Sequence, residues 1–598
     1  MAGTELVSQL PDELRRLCQD LPTDVQSEFA KLHTRLGFDA NDVEAFVLSR
    51  GQLTVDGMLK FEETLKTKTV SRKPTPVRVS LGSVMLNPGG KRRASLAAAT
   101  TPSTKRPRAE EGASVDDQAG VPARGTPDPP PKPLQVSTKA TLNEKLVVPT
   151  VPDPPTSGLE VKLLAKFDFH SGKRPGLPYT WMDESIEQRA ELRRARWQSL
   201  EEELVAASRV EAGDEELMLG SIGETVQSEV VLVGHIVCDG LEGKLNERSL
   251  ILESTKRRVC RVHLNVAGCE RLTVFPGQLV GVVGRSGMSG DTFHARLVVP
   301  GFPLVSALRP PMSQGLHAIV AMGPYCTRED LDFSALDQLL EHVVARRPQV
   351  LVLLGPFLDA SNLKVASGET RLPGRDTVLS FEDLYAEHIL PRLAQGLAPL
   401  RKAQPTAKIL IVPSLDEVLC VHPLPQPPMD VSLCMGRQSR QAAMSPLERL
   451  GVQMLPNPAH VQIEGLRMSM TSADALSPLV KEVVIRSGGR KIEEAYRLLL
   501  KQRTLFPVVP RDPARVSESH AAALDFPDGV APHLCILPST AGVPSGMVVD
   551  GTIFVNPGHV CKAALGTFAE LWVCPAGDSE TSLADTTRVD ILKLMSER

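Results

Sequence analysis

From His317 onward the sequence alternates between short, unbroken apolar runs and longer segments of helical period. The runs His317 to Met322 (HAIVAM), Val350 to Gly355 (VLVLLG) and Lys408 to Pro413 (KILIVP) lack the apolar–polar alternation of a half-exposed strand, so as strands they must be covered on both faces. Between them, Phe333 to Arg346 and Phe381 to Leu397 space their apolar residues as helices do. Doubly buried strands separated by helices predict a layered α/β domain, assigned here to residues 304–598. Further strands are expected around Val461, Ile485, Leu534 to Leu537, Ile553 to Val555, Leu571 to Cys574 and Arg588 to Leu594.

Upstream, five β-prone runs follow one another: Val230 to Val237, Ser249 to Leu252, Arg258 to Leu264, Leu279 to Gly284 and Phe293 to Val299. Turn chemistry divides them, as at Asp239-Gly240 and between Gly287 and Asp291, which fits a five-stranded OB-type barrel. A helix is expected ahead of it from Trp181 to about Ala207, capped by Asp183, with Ile186, Leu192, Ala195, Leu200 and Leu204 as its apolar stripe. Lead helix and barrel together are assigned residues 158–303.

The first 70 residues read as a small helical bundle, with Leu10, Leu14, Leu17 and Leu21, then Phe29, Leu32 and Leu36, then Val43, Phe46 and Val47 at helical spacing. A module of this kind is expected to dock other proteins. Residues 71–157 change to Pro, Ser, Thr, Ala and Gly and are expected to form a disordered basic linker. Between Ser71 and Arg108 there are nine Lys or Arg and no Asp or Glu. Lys91, Arg92 and Arg93, followed by Lys105, Arg106 and Arg108, read as a two-part nuclear import signal, against the plainer reading of a solvated basic tail. Thr75, Thr101 and Thr126 each precede a proline, which makes them candidates for a proline-directed kinase whose phosphate would offset that charge.

At 598 residues the chain exceeds what one core organises. Its formal net charge of -4 provides no global field to hold it on nucleic acid, so any DNA contact would be local. No run approaches the roughly 20 apolar residues of a membrane helix, and the acidic start (Glu5, Asp12, Glu13) is unlike a signal peptide, so no membrane role and a cytosolic or nuclear setting are expected. The ten cysteines form no Cys-x-x-Cys pair, so no zinc site is written in them.

In open α/β sheets chemistry collects at the carboxyl ends of the strands. Here those turns read Gly323-Pro324-Tyr325, Gly355-Pro356-Phe357-Leu358-Asp359 and Pro413-Ser414-Leu415-Asp416. The arrangement resembles the calcineurin-like phosphoesterase fold, whose active members carry Asp-x-His, Gly-Asp and Gly-Asn-His at such turns and hold two metal ions bridged by an aspartate. Against that pattern Pro356 stands at the bridging position, and Ser414 and Leu415 replace Asn and His. Gly558-His559 resembles the late Gly-His-x-His turn, and Asp359 and Asp416 are carboxylates close to two strand ends. The expectation is that no catalytic residue, metal or cofactor is present. A metal-dependent phosphoesterase or exonuclease built on Asp359, Asp416 and His559 is the alternative.

The whole chain, read as a multidomain α+β protein with helical head, basic linker, OB barrel and an α/β phosphoesterase-like domain lacking ligands, resembles the B-subunit family of DNA polymerase alpha. The stretches that carry the resemblance are Gly243 to Asn246, Ser249 to Glu253, Leu272 to Gln278, Gly323 to Tyr325, Leu354 to Ala360, Val412 to Leu415 and Val555 to Gly558. It implies a non-catalytic scaffold that grips the zinc-bearing C-terminal domain of the catalytic subunit, reaches primase and DNA mainly through that complex, and offers its helical head to other replication proteins. A single-strand DNA binder acting through the barrel is a further alternative, weakened because Phe275 and Phe293 are the only aromatics between Val230 and Val299.

Overall fold

A computed structural model describes Gln26, His33 and residues 136–148, 159–165 and 184–595, apart from 241–243, 257–259, 311, 313, 373, 375, 431–445, 487, 510, 512–514 and 576–580. The chain separates into two compact units, Met1–Gly125 and Thr126–Arg598. Of the expected helical bundle only Gln26 and His33 are described, both helical. The basic clusters and Thr75, Thr101 and Thr126 lie outside the described residues.

Within the second unit the five strands expected of a barrel close on themselves. Val230–Cys238 pairs antiparallel with both Leu250–Glu253 and Leu279–Ser286, and Arg261–Asn265 bridges from Leu250–Glu253 to Thr292–Val299, which returns to Leu279–Ser286. Arg261–Asn265 shows the pleat plainly, with Val262 and Leu264 inside and Arg261, His263 and Asn265 exposed. Val230–Cys238 does not alternate, because the helix Glu201–Ala212 lays Leu204 and Val205 against Val231, Val233, Leu279 and Val283 on the outside of the barrel. That approach is close: a Cβ on Gly281 would stand 1.9 Å from Ser208 Oγ.

The expected single lead helix is two, Ile186–Ser199 and Glu201–Ala212, meeting at Leu200, whose N–H turns back to the carbonyls of Trp197 and Gln198. Asp183 lies outside the described residues, and Ser185 caps the first helix. Its Oγ accepts from Gln188 N at 3.3 Å while Gln188 Oε1 accepts from Ser185 N at 2.9 Å, a reciprocal capping box.

The α/β part consists of two sheets packed face to face. The seven-stranded sheet runs in the order Val136–Leu142, Thr587–Leu594, Thr567–Val573, Leu316–Met322, Val350–Leu354, Lys408–Val412, Val452–Met454, with the last four parallel. The six-stranded sheet runs Val161–Leu163, Ala459–Ile463, Leu466–Met470, Leu534–Ile536, Thr552–Asn556, Ser545–Val549. Along each central strand alternate residues enter different cores. Ala318, Val320, Val350, Val352 and Leu410 meet Val461, Met468, Ile536 and Ile553 between the sheets, while Ile319, Ala321, Leu351, Leu353 and Ile409 face the helices Ser334–Arg346 and Leu390–Ala403. The outer face of the second sheet carries Leu476–Glu482 and Lys491–Lys501. Four layers result, and the unbroken apolar runs are those covered on both sides. The expected helix Phe381 to Leu397 begins as Phe381–Leu384, widens into a π turn at Tyr385–Ile389, and continues as Leu390–Ala403. The wide turn falls just before Pro391, which has no N–H for a regular helical bond.

The linker expected over 71–157 ends too late. Val136–Leu142 is an edge strand of the large sheet, antiparallel to Thr587–Leu594, with Val136 opposite Leu594 and Leu142 opposite Val589. Its sequence, VSTKATL, is rich in β-branched residues and turns Thr138 and Lys139 to solvent, and its pairing partner lies some 450 positions away (Thr141 Oγ1 donates to Asp590 Oδ1 across |i−j| = 449), outside the reach of local pattern. Val161–Leu163, assigned with the barrel, instead pairs with Ala459–Ile463 in the second sheet.

Candidate functional site

Three of the parallel strands of the large sheet, Leu316–Met322, Val350–Leu354 and Lys408–Val412, end in turns that touch through their backbones. Gly323 N donates to Leu354 O and Gly355 N to Val412 O, each at 2.9 Å, so the turns step across the sheet in register. Both Gly323-Pro324 and Gly355-Pro356 are cis. A Cβ on Gly323 would lie 2.0 Å from Pro356 O, so only glycine lets the first turn rest on the second. The late turn closes against the same place: Val560 N donates to Met322 O at 2.8 Å, Cys561 N to Pro324 O at 3.0 Å, and His559 Nδ1 to Gly323 O at 2.6 Å. Gly558 has φ 71°, and its N–H donates to Asn556 Oδ1 at 3.1 Å.

The structure thus brings together Gly323, Pro324, Gly355, Pro356, Gly558 and His559. It does not combine the two aspartates with His559 into a ligand set. Asp359 folds onto its own turn, accepting from Ser361 N at 2.7 Å and Ser361 Oγ at 2.9 Å. Burial raises its carboxyl above the ordinary value against the pull of those bonds. Asp416 meets Arg515 at 3.0 Å on the surface, while its carbonyl accepts from Ala360 N at 2.9 Å. Ser414 Oγ accepts from Asp416 N at 3.2 Å, and Leu415 packs beside Leu424, Ala473, Val516 and Leu524.

Two elements of this site had no signal in the sequence. The first is Glu417, a buried carboxylate one residue beyond Asp416 that reaches under the second turn to accept from Phe357 N at 2.7 Å and Leu358 N at 3.2 Å. Burial drives its pKa up to about 7, opposed by those N–H groups and the Tyr385 hydroxyl. The second is a buried neutral network. Gln426 donates to the carbonyls of Ser414 (3.1 Å) and His422 (3.0 Å), and Asn457 donates to Gln426 Oε1 and Ser472 Oγ, each at 2.8 Å. Thr471 Oγ1 donates to Asn457 Oδ1 at 2.8 Å, and Ser472 Oγ donates to Pro413 O at 2.6 Å.

Amides, hydroxyls and carbonyls satisfying one another make this network itself rigid and uncharged, with Glu417 and the Asp416–Arg515 pair beside it. Proline and leucine side chains supply no donor atom, and no group of three or more His, Cys, Asp or Glu that could hold a metal ion occurs among the described residues.

Residues 318–543 match the family model for the B subunit of DNA polymerase alpha/epsilon, and residues 194–301 match that for the OB domain of the DNA polymerase alpha B subunit. The chain is also similar to curated proteins named as the B subunit of DNA polymerase alpha. It is 28% identical to that of Schizosaccharomyces pombe over 408 residues, covering 63% of this chain and 66% of the relative. With that of Mus musculus it shares 28% over 360 residues, covering 58% and 55%, and with that of Saccharomyces cerevisiae 23% over 405 residues, covering 58% and 54%. The matched segments therefore span less than two thirds of these relatives' own lengths.

Proposed function

Because the chain belongs to the B-subunit family of DNA polymerase alpha, we propose that it is a non-catalytic scaffold of the polymerase alpha–primase complex, binding the C-terminal domain of the catalytic subunit and supporting primer synthesis. One observation carries the non-catalytic part of this reading. Where a phosphoesterase needs bridging carboxylates and imidazoles, this chain has Pro356, Ser414, Leu415 and the uncharged Gln426–Asn457–Ser472 network. With Asp416 already paired to Arg515 beside them, these turns can be covered by a protein partner without stranding a lone charge. Co-expressed with the zinc-bearing C-terminal domain of the catalytic subunit, the full chain is expected to co-purify in equal amounts. Recovery of the chain alone would defeat the proposal. In the same preparation, manganese-supported nuclease turnover is expected to be absent, and any turnover abolished by His559→Ala would instead establish the enzyme reading.

DNA and primase are reached through the complex in this proposal, and residues 1–70 dock further replication proteins. Direct single-strand binding by the barrel is disfavoured by the burial of its two phenylalanines, Phe275 at 0% and Phe293 at 1% exposure, which leaves neither ring open to stack on successive bases. We also propose a nuclear location driven by Lys91, Arg92, Arg93, Lys105, Arg106 and Arg108. Changing all six to alanine should shift a fluorescent fusion from nucleus to cytoplasm, and an unchanged distribution refutes the signal. Phosphorylation at Thr75, Thr101 and Thr126 is the accompanying proposal, to be checked by phosphopeptide mapping of dividing cells, where three unmodified threonines would remove it.

A further inference from the structure

Away from the strand ends, a cavity of about 440 Å³ opens between the first lead helix and the barrel. Its wall is an aromatic shelf, with Trp197 stacked on His235 at 4.1 Å between ring centroids and 25° between planes. Arg193, Arg194 and Arg261 surround it. Arg261 is engaged by Glu253, whereas Arg193 bonds the carbonyl of Arg189 at 3.4 Å and Arg194 makes no ion pair among the described residues. His235 is 8% exposed and faces Glu253 through Nε2 at 3.3 Å. In the tautomer that donates there, Nδ1 is a lone-pair acceptor, and it is buried with no hydrogen-bond partner among the described residues. A buried acceptor left unmade is costly, so the site favours a ligand that brings an O–H to it.

From these features we infer that the cavity is a docking site for an acidic protein segment presenting a tyrosine. The ring lies on the shelf, its hydroxyl donates to His235 Nδ1, and flanking carboxylates meet Arg193 and Arg194. A nucleic-acid strand fits less well, because successive bases need successive platforms and the barrel aromatics Phe275 and Phe293 are both buried, leaving a single shelf. The cavity would serve this role whether or not the strand-end turns are inert.

The test is calorimetric titration of the full chain with random glutamate–tyrosine copolymer, polyglutamate and oligothymidylate at physiological salt. The copolymer is expected to bind roughly tenfold more tightly than polyglutamate, and Trp197→Ala or the pair Arg193→Glu with Arg194→Glu should weaken it roughly tenfold or more. Arg271→Glu, on the separate larger cleft beside Lys501, should leave it unchanged. Absence of copolymer binding, equal binding of polyglutamate, tighter binding of oligothymidylate, or variants that bind like the parent would each overturn the proposal. Circular dichroism checks the fold of each variant, and Arg194→Ser provides the same readout should the double charge reversal unfold the helix.

Discussion

Alanine at Gly323 is expected to destabilise the α/β domain by about 3 kcal/mol, at the upper end of what overpacking costs. The new methyl would stand 2.0 Å from Pro356 O and 2.9 Å from its carbonyl carbon, and both are backbone atoms. No rotamer change relieves that contact. Nor can the second turn retreat freely, because Gly355 N is tied to Val412 O and Phe357 N to Glu417. The strands Leu316–Met322 and Val350–Leu354 would have to separate at their carboxyl ends, in the middle of the core. Urea denaturation followed by far-ultraviolet circular dichroism should show a markedly lower midpoint with an unchanged slope. A midpoint within error of the parent's would show that the turns do not rest on one another.

The second large effect is expected at Glu570, on a strand of the same sheet. Its buried carboxylate accepts from His317 Nε2 at 2.6 Å and Arg346 Nε at 2.6 Å, with His342 Nε2 at 3.6 Å. Trp572 covers the pair, stacked on His317 at 3.7 Å. Burial alone would raise this carboxyl, but the bond from His317, the nearby ring of His342 and the charge of Arg346 outweigh it and hold the group well below the ordinary carboxylate range. Burial also lowers His317, and Arg346, whose Nε meets the same carboxylate oxygen, is the permanent cation of the cluster. Glu570→Gln strands that guanidinium and is expected to cost about 3 kcal/mol, the low end for breaking a buried pair because Arg346 keeps some contact with water. The folded pKa is depressed, so the stabilisation is fully present above the unfolded value of about 4.5 and is lost as pH falls below it. The difference in stability between parent and variant should accordingly shrink as acid is added from about pH 5 to pH 3. A difference independent of pH over that interval would assign the loss to packing instead.

Much of this architecture was legible because burial on two faces removes the polar half of the strand pattern. HAIVAM, VLVLLG and KILIVP could only be central strands, and the same logic located Val230–Cys238 in the barrel. Val136–Leu142 escaped because nothing within its own seven residues, set among prolines and glycines, signals a partner at Thr587–Leu594. The strand-end turns were found through their position, since glycine and proline after an apolar run mark the place wherever the sheet is parallel. What occupies the space behind them was not found. Glu417, Gln426, Asn457 and Ser472 are ordinary polar residues in sequence; Glu417 finds its partners on the second turn, and the other three become one network, only when separate loops are brought together. The break at Leu200 was missed for a related reason: leucine is a good helix former, and the chain bends there where the second helix meets the barrel.

The edge strand has a mechanical corollary. Since Val136 lies opposite Leu594, the chain enters one strand of the pair and leaves the other at the same corner of the sheet. A load applied at Val136 while Leu594 is held would open this antiparallel pair like a zipper, one rung at a time from that end. The five strands beyond the pair would be spared. The edge strand is thus built to yield before the sheet that carries it.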